Sequence, residues 1–168
     1  DKVEVLTFVD GGTSVQWMLD AGAKVMNLLT KGSLNHLQHQ LKKTPAQHFA
    51  EIAETISLAI SNGLEVNVYL EDWSNGMRNS KAYVLEYLDF LTALPVKRIL
   101  LPDTLGVLIP SEVGEFISEL VKRYPSTHFD FHAHNDYDLG TANALEAVRN
   151  GVHGLHLTVN GMGERAGN

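Results

Sequence analysis

Strand-like and helix-like patterns alternate along this chain, and that alternation narrows the choice of fold further than any other feature. Six short runs rich in Val, Ile, Leu and aromatic residues read as β-strands: residues 3–8, 24–29, 65–70, 98–101, 128–132 and 154–159. Helical patterns fill the gaps. The first runs over 13–20 and closes at Gly22. The second is long, with Thr44 as its cap, Pro45 as its first residue and an apolar stripe through Phe49, Ile52, Ile56 and Ile60 before Asn62-Gly63. Ser80 caps a third carrying Val84, Leu88 and Leu91, and Ser111 a fourth carrying Val113, Phe116, Ile117 and Leu120. A fifth covers 139–150 and stops at Gly151.

Such alternation builds βαβ units and a parallel sheet, either doubly wound or closed into a barrel. A dinucleotide-binding doubly wound sheet would place a G-x-G-x-x-G fingerprint after a strand, and this chain has none. In a barrel, polar residues gather after the C-terminal end of each strand. Here they do: Asp10, Thr30, Glu71-Asp72, Asp103-Thr104, His132 with His134, and the segment from Asn160 onward. The expected fold is therefore α/β, a partial (β/α)8 barrel with six of eight strands. The chain opens on Asp1 and stops at Asn168 in mid-loop, so it reads as a fragment of one catalytic barrel domain lacking the first two βα units.

Chemistry concentrates at the fifth strand's end. His132 and His134 stand two residues apart, so both imidazoles leave the same face together. Two convergent neutral imidazoles are half of a metal site; the competing reading is a polar strand end. With no cysteine, any metal must take His, carboxylate or amide ligands. A net charge of −7 without a basic stripe argues against nucleic acid, and no apolar run is long enough to span a membrane. A cytoplasmic location fits these features. His36 and His39, at helical spacing, are expected on a solvated surface, and His48, His153 and His156 as structural residues.

Three segments carry a resemblance: L-P-D-T-L-G at 101–106, F-H-A-H-N-D at 131–136 and N-G-M-G-E-R-A-G-N at 160–168. In that order they resemble the metal-dependent, TIM-barrel family of acyl-CoA condensing enzymes and lyases, which includes isopropylmalate, homocitrate and citramalate synthases and hydroxymethylglutaryl-CoA lyase. Within it, 27–34, 67–76 and 134–139 look most like the bacterial citramalate synthase branch. Isopropylmalate and homocitrate synthases usually carry a Phe-Ser-x-Glu-Asp type of run where this chain has Tyr69-Leu70-Glu71-Asp72.

The resemblance implies a set of roles. His132, His134 and Asn168 would hold one divalent cation, Zn²⁺, Mn²⁺ or Mg²⁺, with an aspartate from a preceding strand. Thr104 would bind the carboxylate of a 2-oxo acid, and Glu71 would assist proton removal from the methyl of acetyl-CoA. Leu6, Leu29 and Tyr69 would line an apolar pocket suited to the methyl of pyruvate, and Phe8 would pack beside incoming acetyl-CoA. Glu164 and Arg165 would brace the loop carrying Asn168. Competing readings stand for several: Glu71 as a strand-end ion pair with Asp72 as the base, Thr104 as a turn residue, Tyr69 and Leu29 as core fillers. The implied activity is an acyltransferase, a homodimer as a whole protein, with isopropylmalate synthase as the alternative. The family's Arg-Asp pair and C-terminal subdomain are not in this sequence, so the fragment alone is expected to be inactive; a catalytically incomplete remnant serving as a binding module is the reading from a different class. The lyase branch is disfavoured because it carries a catalytic cysteine.

Overall fold

A computed structural model describes residues 3–168. Its six strands are β1 (Glu4–Phe8), β2 (Val25–Lys31), β3 (Glu65–Glu71), β4 (Arg98–Asp103), β5 (Phe129–Ala133) and β6 (Gly154–His156). They pair in the spatial order β1-β2-β3-β4-β5-β6, and every pairing is parallel. A doubly wound sheet would reverse its strand order at a switch point. An order that simply follows the sequence is that of a TIM-type barrel, and the chain forms a partial one, with β1 and β6 at the edges of the described sheet.

The helices are α1 (Thr13–Asp20), α2 (Leu34–His36), α3 (Pro45–Ser61), α4 (Trp73–Asn79), α5 (Lys81–Thr92), α6 (Pro110–Arg123) and α7 (Gly140–Arg149). One strand face, carrying Met26, Leu28, Val66, Val68, Leu70, Ile99, Leu101, Phe129 and Phe131, is sealed beneath them. Trp73 is fully buried there, edge-on to Phe116 and Phe131. Burial of each such side chain contributes about 1.5–3 kcal/mol. By the strand alternation, the other face carries Glu4, Leu6 and Phe8; Asn27, Leu29 and Lys31; Asn67, Tyr69 and Glu71; Arg98, Leu100 and Pro102; Asp130 and His132; and His156.

Several boundaries differ from the sequence reading. Strands β2, β3 and β4 run past the apolar residues to Lys31, Glu71 and Asp103, because the parallel ladder continues into the polar mouth. Strand β1 starts at Glu4 rather than residue 3, and β6 ends at His156 rather than residue 159, giving way to a turn over Val159–Gly161 with Asn160 at positive φ. Ser111 is not the cap of α6. The cap is Ile109 and the helix starts at Pro110, two residues before the start a Ser111 cap implies; the missing N–H of Pro110 suits a first turn, while Glu112 accepts the Ile109 N–H at 3.1 Å. Thr44 caps α3 with a full capping box to Gln47. Among the described residues, no helix is long and apolar enough to cross a membrane.

Candidate metal and substrate cleft

The C-terminal ends of the strands surround a cleft of about 400 Å³ lined by Leu6, Leu29, Tyr69, Glu71, Pro102, Thr104, His132, His134, Gly163, Glu164 and Asn168. Of the nine residues given a metal, substrate or catalytic role in the sequence (Leu6, Phe8, Leu29, Tyr69, Glu71, Thr104, His132, His134 and Asn168), Phe8 alone stays outside this lining. It is half exposed, two residues beyond Leu6 on the same strand face. A larger open hollow of about 550 Å³, between 9–12 and α3, holds the Lys43–Glu51 ion pair and gathers no comparable set of groups.

His132 Nε2 stands 3.3 Å from His134 Nε2 and 3.1 Å from the Asn168 amide nitrogen. A flip of the Asn168 amide about its last bond brings its oxygen into the same place. Ligand atoms held about 2.0–2.2 Å from one ion lie about 3.0–3.5 Å apart along the edges of its coordination polyhedron, and both separations from His132 fall in that range. Burial, with His134 and His156 nearby, lowers the His132 imidazole to about 4, and burial followed by Arg165 lowers His134. Both rings are neutral at pH 7 and keep a lone pair for a metal. Neither Nδ1 has a hydrogen-bond partner. Among the described residues no three His, Cys, Asp or Glu converge on one point; Asn168 is the candidate third donor beside the two imidazoles.

Asn168 reaches its place through a stitched loop. Gly167 adopts φ +87, and a Cβ there would stand 1.9 Å from the Gly161 carbonyl oxygen. Its own carbonyl accepts the Asn135 N–H at 2.9 Å. The Thr158 hydroxyl donates to the Asn168 carbonyl at 2.5 Å. Arg165 clamps Asp136 through two bonds of 2.8 and 3.0 Å and donates to the Thr104 carbonyl at 2.7 Å. Arg165 thus braces the loop as expected, whereas Glu164 faces the cleft.

The adjacent carboxylates of Glu71 and Asp72 separate completely. Asp72, buried at φ 65, accepts from the Ser33 hydroxyl at 2.6 Å and from the Asn75 amide at 2.8 Å. Glu71 lies in the cleft and pairs with Lys31. The ion-pair reading of Glu71 is therefore met geometrically, and it coexists with a place at the mouth. Lys31 was not singled out in the sequence, where it falls beyond the apolar run. His36 is not on a solvated surface: its side chain is tucked behind these carboxylates, Nε2 3.4 Å from Asp72 and Nδ1 3.8 Å from Glu71. The Thr104 hydroxyl oxygen accepts the Asp72 N–H at 2.8 Å, which leaves its own hydrogen for the cleft. His48, buried in α3, accepts the Lys31 N–H at 3.2 Å, and His39 is exposed.

Tyr69 projects inward beside His132, ring edge to ring at 6.0 Å, and its hydroxyl is bonded to His156 Nδ1. Beneath lies a polar layer. Asp130 accepts from His128 at 2.8 Å and from Arg98 at 3.0 Å; Arg98 also pairs with Glu4, and Asn67 donates to Asn27 at 2.8 Å. Burial and the carboxylates of Glu4 and Asp130 push the Tyr69 hydroxyl well above its ordinary value, so it stays protonated. His153 stacks on His128 at 4.6 Å, away from the cleft.

Comparison with known proteins agrees with this geometry. The sequence pattern of the HMGL-like family matches residues 10–168. Homocitrate synthase of Sulfurisphaera tokodaii is 39% identical over 132 residues, covering 79% of this chain and 28% of that protein, and the Sulfolobus acidocaldarius homocitrate synthase is 38% identical over the same shares. The chain thus spans 28% of the length of these curated relatives. An HMG-CoA lyase structure from Bacillus subtilis superposes with a TM-score of 0.84 at 18% identity, covering 95% of this chain and 54% of that one. One from Brucella melitensis gives 0.80 at 18% identity, covering 95% and 57%. At that identity the likeness speaks for the fold. Taken with the match over residues 10–168, the chain belongs to the HMGL-like family.

Proposed function

We propose that this chain forms most of the catalytic barrel of a longer enzyme that condenses acetyl-CoA with a 2-oxo acid, with pyruvate preferred and citramalate as product. One observation carries the reading: paired imidazoles and a carboxamide, a carboxylate held by a lysine, a free hydroxyl and an apolar floor all line one cleft. The homocitrate synthase relatives support the reaction class.

His132, His134 and Asn168 are the residues that would hold a divalent cation, Zn²⁺, Mn²⁺ or Mg²⁺; when bound it supplies a Lewis acid that polarises the 2-oxo acid's ketone. Thr104 donates its hydroxyl hydrogen to the substrate carboxylate, its oxygen being fixed by the Asp72 N–H. Glu71 takes a proton from the acetyl methyl, and Lys31 holds that carboxylate in place. The methyl carbon then bonds to the ketone carbon, and hydrolysis of the thioester consumes water and releases the CoA thiol. Leu6, Leu29 and Tyr69 seat the substrate's side chain, and Phe8 packs beside incoming acetyl-CoA. Among the described residues, the lining offers apolar surface and neither lysine nor arginine to a second carboxylate, which favours pyruvate over 2-oxoglutarate. We further place the whole protein in the cytoplasm as a homodimer, on the resemblance to the family's synthases.

A second reading, condensation with 2-oxoglutarate, draws on the names of the homocitrate synthase relatives; 2-oxoisovalerate is the third substrate to compare. Full-length protein with acetyl-CoA, a divalent cation and each 2-oxo acid, followed by thiol release, separates them by relative kcat/KM. Preference for pyruvate is expected. Preference for another substrate overturns the floor argument, and no release with any of them overturns the condensation.

A further inference from the structure

Tyr69 is the largest side chain in the floor of the cleft, and an aromatic ring on a strand is free to turn about its first side-chain bond unless something holds its far end. Here the hydroxyl is held by His156 Nδ1. Residues 69 and 156 lie on β3 and β6, which do not neighbour each other in the sheet, so the bond crosses the barrel interior. His156 is itself fixed: its ring lies edge-on to Tyr69 at 5.4 Å, and its Nε2 faces Asp130 at 3.5 Å. Asp130 is in turn gripped by His128 and Arg98, and Arg98 by Glu4. With its Nε2–H turned to the Asp130 carboxylate, a neutral His156 ring has the Nδ1 lone pair free to accept, and the tyrosine O–H is spent on it.

We propose that His156 is a specificity-determining residue that acts through Tyr69: by consuming the Tyr69 O–H and pinning the ring beside His132, it sets the depth of the side-chain pocket and denies a distal carboxylate its hydrogen-bond donor. Two consequences follow. A pinned ring closes the space that a substrate one methylene longer than pyruvate would occupy. A committed hydroxyl presents no hydrogen toward the cleft, so an anionic side chain finds no partner there. Released, Tyr69 could swing aside and donate. The inference rests on the proposed condensation and deepens it.

The test uses the full-length enzyme with its divalent cation and compares kcat/KM for 2-oxobutyrate with that for pyruvate. The 2-oxobutyrate-to-pyruvate ratio is expected to rise about tenfold in His156→Leu and in Tyr69→Phe, the lower end of what one methylene is worth in a fitted pocket. The double variant should exceed neither single change by more than about twofold, since both break the same bond. His156→Gln, which keeps a hydrogen-bonding group within reach of the hydroxyl, should retain the parent ratio. A merely structural histidine would lower turnover of both substrates together and leave the ratio in place; an unchanged ratio in His156→Leu, with pyruvate still turned over, overturns the role of His156 alone. If His156→Leu does not fold, Tyr69→Phe decides by the same criterion. Failure of the parent enzyme to condense any 2-oxo acid removes the proposed function, and this inference with it.

Discussion

Glu71 and Asp72 show how two neighbouring carboxylates of equal sequence appeal divide at the level of single residues. Asp72 spends its oxygens on Ser33 and Asn75, whereas Glu71 keeps its carboxylate at the mouth with Lys31 as partner. Glu71→Gln in the full-length enzyme should therefore lower kcat by about 10²–10⁴ with little change in KM, the range for a lost general base; a loss confined to KM, read by thiol release, would return Glu71 to a structural ion pair. Thr104 makes a different prediction, because its oxygen accepts while its hydrogen donates. Thr104→Val leaves the Asp72 N–H without a partner and removes the donor, so KM for the 2-oxo acid should rise about tenfold or more, whereas Thr104→Ser keeps both bonds and should restore it. The sequence could nominate these residues because their motifs sit at strand ends. It could not separate Glu71 from Asp72, since that depends on Asp72 turning to φ 65 into the Ser33 loop. Nor could it nominate Lys31, whose importance comes only from the β2–β3 register that sets it beside Glu71.

At the scale of elements, the pieces that the sequence conceals are the short ones. Helix α4 has seven residues and α2 three, too few for a 3.6-residue periodicity to declare itself. These pieces build the ground behind the cleft: α2 brings His36 against Glu71 and Asp72, and α3 brings His48 under Lys31. His48 makes a prediction about pH. Burial lowers its imidazole from 6.5 to about 4, so between those values the unfolded chain binds a proton that the folded one refuses. The stability contributed by neutral His48 is thus complete above pH 6.5 and is lost as the pH falls toward 4, an effect on the order of 3 kcal/mol. In His48→Gln the amide oxygen still accepts the Lys31 N–H but nothing titrates. Urea unfolding at pH 7, 5.5 and 4.5 should show a shallower fall in stability for the variant than for the parent. Parallel curves would mean that His48 takes up its proton without unfolding.

For the whole molecule, strand alternation and the polar residues after each strand were enough to read a partial barrel, because periodicity and strand-end chemistry are local signals. The polar layer inside it was not legible: Glu4, Asn27, Asn67, Arg98 and Asp130 come from five strands and meet only once the sheet has curled. That layer ties the molecule together over long sequence distances, Arg98 joining Glu4 of β1 to Asp130 of β5 across 94 and 32 residues. It also lies under His132, since Asp130 precedes it by two positions on the same strand face. Removing one partner of such a group costs more than the pair contributes, because carboxylates shaped for a cation are left in place without it. The Asp130 side chain is 1% exposed and takes the larger share, while Glu4 at 25% recovers some hydration. Arg98→Met should therefore cost roughly 2–4 kcal/mol, below or within the 3–5 kcal/mol range for a fully buried pair. It should also weaken cation binding, because His156 and the β5 backbone share the Asp130 anchor. Urea midpoints of the full-length protein measure the first effect and calorimetric titration with Zn²⁺ or Mn²⁺ the second. A variant that lost stability yet bound the cation with parent affinity would show that the polar layer holds the barrel together without setting the geometry of His132 above it.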